Sequence, residues 1–139
     1  MLGHLYSGQD CSAARTLELV GERWSLLILR DAMFRGLTRY SDFMKTLEIA
    51  PNILAKRLAG FVEAGLMAQG SDGEYRLTEK GLDLKPTIMA LTAWGDKWVR
   101  PGPVDFVAAE TGDLVELELR TAGGQRMTDM AAVRAKRRP

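Results

Sequence analysis

Apolar residues recur at helical spacing through most of the chain, and short polar, glycine or proline breaks separate the runs. The first run is AARTLELV, with Ser12 placed to cap a helix that ends near Gly21. The next, WSLLILRDAMF, is apolar on nearly every side, as expected of a helix at the centre of a small core; Gly36 stops it. LTRY is too short for more than one bridge of strand. Ser41 then opens a short helix, SDFMKTL, and a tight break at EIAP follows. Pro51 suits the first turn of the next helix, where its missing N–H would have no partner anyway. That helix runs PNILAKRLAGFVEA and ends at Gly65. Leu54, Leu58, Phe61 and Val62 fall at offsets 0, 4, 7 and 8, one stripe at ~100° per residue. Asn52, Ile53, Lys56 and Glu63 lie on other faces, with Arg57 at the flank.

Asp72-Gly73, between the strand-like runs LMAQ and EYRL, predicts a β-hairpin. Thr78 can cap a long helix from Glu79 to about Arg100, with Pro86 forcing a kink or a late start. Leu84, Ile88, Leu91, Trp94 and Trp98 give it a wide apolar face. After Pro101 and Pro103, LVELEL alternates like a half-exposed strand, Gly123-Gly124 makes a turn, and QRM can pair back. Thr128 can cap a last helix, TDMAAVRAK, ahead of a basic end. The fold class expected is therefore mostly α within α+β. A winged helix-turn-helix domain with dimerisation helices spans residues 1–100, and a strand-hairpin and helix extension spans 101–139.

A short helix, a tight break, a second helix and an immediate hairpin is the order of a helix-turn-helix with a wing. The major groove admits one α-helix, with its N-terminal residues nearest the base edges. Asn52 can pair bidentately with adenine, Ile53 can touch a thymine methyl, and Lys56 can reach guanine or phosphate. The helix starts at Ser41 and Pro51–Asn52 attract phosphate through unpaired N–H groups, and Arg39 and Arg76 are further phosphate candidates. Arg57 serves either a phosphate or an ion pair with Asp42 or Glu63.

Charge narrows the picture. The chain's 139 residues carry a formal net charge of only +1, with 46% hydrophobic and 27% charged residues, unlike a purely electrostatic DNA binder. Residues 37–80 hold six basic and six acidic side chains. Affinity must then depend on where the charges point, and a dimer with recognition helices ~34–36 Å apart on the duplex would compensate for a weak monomer. The neutral wing also keeps open a winged-helix module for protein–protein contact without direct DNA binding. No metal-ligand cluster, phosphate loop or nucleophile–base pair is visible, so neither an enzyme nor a cofactor is expected, and His4 sits too near the terminus for a general base. No apolar run reaches the ~20 residues of a membrane span, no signal peptide is evident, and a single cysteine suits a reducing cytoplasm.

The blocks CSAARTLELVGERWSLLILRDAMFRG, RYSDFMKTLEIAPNILAKRLAGFVEAGLM, EYRLTEKG and ALTAWGDKW, over roughly residues 11–98, resemble the HxlR-type regulators, relatives of the MarR-type winged-helix proteins. The resemblance implies a cytoplasmic bacterial or archaeal transcription factor that binds a palindromic double-stranded operator as a homodimer. It places the recognition helix on Pro51–Ala64 and the wing on Met67–Leu77. It puts the dimer interface on the first and long helices, through Leu17, Leu84, Ile88, Leu91, Trp94 and Trp98. The wing is shorter and more acidic than is common in the family, and the tail has no cysteines for a zinc ribbon. Cys11 stands where some members carry an oxidant- or electrophile-sensing thiol, and a helix start favours a reactive thiolate; the alternative is a small packing residue near the dimer seam. Trp24, Trp94 and Trp98 either line a small-molecule effector pocket or serve core and interface. The basic tail, Arg134 to Arg138, either touches DNA or is simply solvated.

Overall fold

A computed structural model describes residues 5–139, so His4 lies outside the described residues. The chain divides into two compact units, the first ending at Ile88 and the second spanning Met89–Pro139.

The first unit contains four helices, α1 (Ser12–Val20), α2 (Ser25–Phe34), α3 (Tyr40–Leu47) and α4 (Pro51–Glu63), then strands β1 (Met67–Gln69) and β2 (Tyr75–Leu77) and the short α5 (Glu79–Leu82). α2 is central: Ile28 and Leu29 are fully buried and pack in one core with Val20, Phe43, Leu47, Leu54, Leu58 and Phe61. The all-round apolar character of α2 conceals one buried charge. Asp31 has no exposed surface, and its Oδ1 accepts from Arg30 Nε at 2.8 Å. On α4 the stripe closes on Leu54, Leu58 and Phe61, while Val62 is left 37% exposed. At offset 8 it stands about 80° from the stripe's first residue, at the edge of the buried arc.

Two caps in this unit differ from expectation. The residue preceding α1 is Cys11 and that preceding α3 is Arg39, neither with a side-chain cap, so Ser12 and Ser41 lie inside the first turns of their helices. Pro51 opens α4 as expected, and Gly65, at φ +76°, follows its end.

The hairpin pairs Met67 with Leu77, Ala68 with Arg76 and Gln69 with Tyr75, with Gly73 at φ +79° in the turn. LTRY contributes one backbone hydrogen bond to it, Tyr75 N–H donating to the Thr38 carbonyl at 2.8 Å. Thr78 caps α5, accepting from Gly81 N–H at 3.2 Å, and its hydroxyl donates to the Gly65 carbonyl at 2.5 Å. Gly81 is required here: a Cβ would stand 2.1 Å from the Leu66 carbonyl oxygen.

The long helix expected over 79–100 is two helices, α5 and α6 (Lys85–Trp98). Pro86 is the second residue of α6, where the first turn has no need of its N–H, so the late start replaces a kink. The division between units falls inside α6 rather than at the proline-rich stretch after residue 100.

In the second unit the alternating LVELEL does not form a continuous strand. Leu114 makes an isolated bridge with Val107, and only β3 (Leu119–Arg120) pairs, with β4 (Arg126–Met127). The expected last helix contracts to one 3₁₀ turn, Met130–Ala132, capped by Asp129 rather than Thr128. Short helices depend on burying a face, and every residue from Thr128 to Pro139 is exposed.

Candidate nucleic-acid interface

Hydrogen bonds fix α3, α4 and the hairpin against one another. The Tyr40 hydroxyl, at the start of α3, donates to the Pro51 carbonyl at the start of α4 at 2.6 Å. At the other end of α4, Lys80 Nζ donates to the Ala64 carbonyl at 2.7 Å. The exposed face of α4 is thereby set by its first turns: Pro51, Asn52, Ala55, Lys56 and Ala59 are all exposed. Ala55 and Ala59 went unnoticed in the sequence because they carry no chemistry. Their meaning lies in spacing, since they alternate with Asn52 and Lys56 and leave the face low enough for close approach. Ile53 is half-buried and packs against the core, so the thymine-methyl contact expected of it is reduced to its exposed edge.

Arg57 is committed elsewhere. Its guanidinium pairs with Glu22, with side-chain exposures of 14% and 7%, and its Nε donates to the Arg23 carbonyl at 3.1 Å. The partner is neither Asp42 nor Glu63, and the phosphate role is withdrawn: the side chain ties α4 to the α1–α2 turn.

Arg39, Tyr40 and Ser41 line a shallow cleft with Asp72, Gly73 and Glu74 of the hairpin turn. Arg39 and Arg76 are already paired with the carboxylates of this turn. Arg39 Nε meets Glu74 at 2.8 Å, and Arg76 Nη2 meets Asp72 at 2.8 Å and Glu74 at 2.6 Å. The hydrogen bond from Arg76, joined by the Glu74 N–H, holds the Asp72 carboxyl down at about 2. The same contacts raise the guanidinium of Arg76, and Glu74 raises that of Arg39. Glu74 belongs to the acidic wing tip legible in the sequence; what the sequence did not announce is that it bridges Arg39 and Arg76.

Of the expected dimer residues, Leu17, Leu91, Trp94 and Trp98 are exposed, Trp98 at 65%. Ile88 is buried at 4% and Leu84 packs against its own core, so these two stabilise the protomer rather than offer a surface. Trp24 also packs on the core, at φ +78°. Cys11 is an exposed free thiol, and Arg15 forms an ion pair with Asp10 at 2.7 Å. Among the described residues no group of three or more His, Cys, Asp or Glu could hold a metal ion, and no helix is long and apolar enough to cross a membrane.

The profile of the HxlR-like helix-turn-helix family matches residues 19–103. An HTH-type transcriptional regulator of Mycobacterium tuberculosis is 46% identical over 110 residues, 73% of this chain and 68% of the relative. Among solved structures, the candidate transcription factor PA1607 superposes with a TM-score of 0.80 at 38% identity, covering 93% of this chain and 96% of its own. The quinone-bound YodB of B. subtilis superposes with a TM-score of 0.56 at 28% identity, over 63% of this chain and 99% of its own.

Proposed function

The chain belongs to the HxlR-like helix-turn-helix family of transcriptional regulators, and from that premise we propose that it is a cytoplasmic homodimer that binds a palindromic duplex operator through α4. The observation that carries this is the exposed face of α4, where Asn52 and Lys56 stand one turn apart beside two alanines, on a helix pinned at both ends. Asn52 supplies adenine recognition, and Lys56 supplies guanine or phosphate contact. Ser41 and the start of α3, with Arg39 and Arg76 once released from their carboxylates, hold the flanking backbone.

Fluorescence anisotropy on the chain's own upstream duplex and on a scrambled duplex, at two salt concentrations, tests this. Asn52→Ala should cost about 1–3 kcal/mol of discrimination, and Lys56→Ala should also lower the salt slope by about 1 if its contact is to phosphate. One observation favours a second function, contact with a protein instead of DNA: the wing's arginine, Arg76, and Arg39 ahead of α3 are both paired with the wing's own carboxylates. Weak, equal and salt-insensitive binding to duplexes selected from random sequence would decide for it.

The regulator is switched, in this proposal, by an oxidant or electrophile at Cys11. The thiol is exposed at a helix start, and the relative YodB has a quinone-bound form. Diamide or a quinone should alter operator affinity in the wild type and leave Cys11→Ser unchanged. An equal response in both proteins would remove Cys11 from the mechanism.

A further inference from the structure

From Val99 to Pro139 no residue is buried; only Phe106, Ala108 and Met127 are even half-buried. The segment nevertheless has defined shape. Ala108 N–H donates to the Asp113 carbonyl and Val115 N–H to the Phe106 carbonyl, both at 2.8 Å, and β3 pairs with β4. Val104, Val107, Leu114, Val115, Leu117 and Leu119 are each at least 43% exposed. Leu91, Trp94 and Trp98 of α6, in the same unit, are exposed as well, at helical spacing. So much apolar surface on one segment marks an interaction site.

Charge identifies the occupant. Residues 99–118 carry five carboxylates and one arginine, whereas residues 119–139 carry six cations and one aspartate. A groove of about 350 Å³ between α6 and the extension is edged by Asp96, Asp105 and Glu116, and no cation lines it. Within one copy Glu118 pairs with Arg120 and Arg126, and beyond those pairs an acidic groove and a basic tail are self-complementary across a two-fold axis, because each copy offers its groove to the other's tail.

We propose that residues 99–139 form a dimerisation arm, with the basic tail around Arg134, Lys136 and Arg138 of one copy seated on the acidic groove of the other. This deepens the homodimer reading and rests on it: the arm adds a second contact, beside the α6 face, that other charge patterns would refuse.

The test is sedimentation velocity on the full chain and two charge-swapped variants, with circular dichroism to confirm that both fold. One variant carries Asp105→Lys and Glu116→Lys; the other carries Arg134→Glu, Lys136→Glu and Arg138→Glu. Each alone should weaken the dimer at least about tenfold, because like charges then face each other. Mixed together, the two should re-form a dimer of near wild-type affinity, since both groove–tail pairs become complementary again. If each tail pairs within its own copy, mixing cannot rescue, and that result overturns the proposal. So does weakened duplex binding with an unchanged dimer, which would assign the tail to DNA. If both variants dimerise like the wild type, the arm fails while the α6 dimer stands. A monomeric wild type removes the dimer itself, and the arm with it.

Discussion

Arg39 and Arg76 stand where a winged helix would touch phosphate, yet both are held by carboxylates of the hairpin turn. Duplex binding must therefore exchange one ionic partner for another, so these arginines add less affinity than free ones would. Asp72→Asn with Glu74→Gln should strengthen binding to scrambled duplex several-fold and steepen its salt slope by about 1–2, one for each released arginine, in the same anisotropy assay. No change in slope would mean that the wing never reaches the backbone. The pH dependence has a definite sign. The Asp72 carboxyl is depressed from 3.8 to about 2, so its stabilising contact is complete above 3.8 and is lost only as pH falls through about 2. A ¹³C-detected titration of the Asp72 carboxyl should show it ionised throughout the range in which DNA binding is measured. A midpoint at or above 3.8 would show that the pair does not persist in solution.

At the scale of elements, two contacts orient α4. The Arg57–Glu22 pair is largely shielded from water, and Arg57→Ala removes one charged partner of the Glu22 carboxylate, with an expected cost of about 1–3 kcal/mol in urea unfolding. Tyr40→Phe loses one hydrogen bond to the Pro51 carbonyl, and one such bond is worth about 1 kcal/mol. If Arg57→Ala instead left stability unchanged and reduced duplex affinity, the phosphate role withdrawn above would have to be restored. These same contacts show what a sequence conceals. The helix order was legible because each helix buries a stripe at helical spacing, and Pro51, Gly65 and Asp72-Gly73 mark the breaks locally. Asn52 and Lys56 were legible for the same reason, lying off the stripe of Leu54 and Leu58. Glu22 and Arg57 are far apart in the chain, and nothing local announces their pairing. The extension misled for a related reason. Alternation in LVELEL predicts a strand only if one face is buried, and here neither face is.

At the scale of the whole molecule, the proposed homodimer is expected to be held together by the exposed face of α6. Trp94 and Trp98 are 61% and 65% exposed, and aromatic side chains of that size dominate interfaces when covered. Trp94→Ala with Trp98→Ala should shift the protein toward monomer by at least about 2 kcal/mol, read by sedimentation velocity, and weaken operator binding in parallel. Loss of operator binding without dissociation would place the tryptophans in another role. The charge division of the extension has one more consequence. A genome can encode several winged-helix regulators of one family, whose α6 faces are similar enough to allow mixed subunits. A paralogue without an acidic half followed by a basic half would leave this chain's carboxylates and arginines unanswered, so the extension would act as insulation, keeping each promoter's regulator to its own kind.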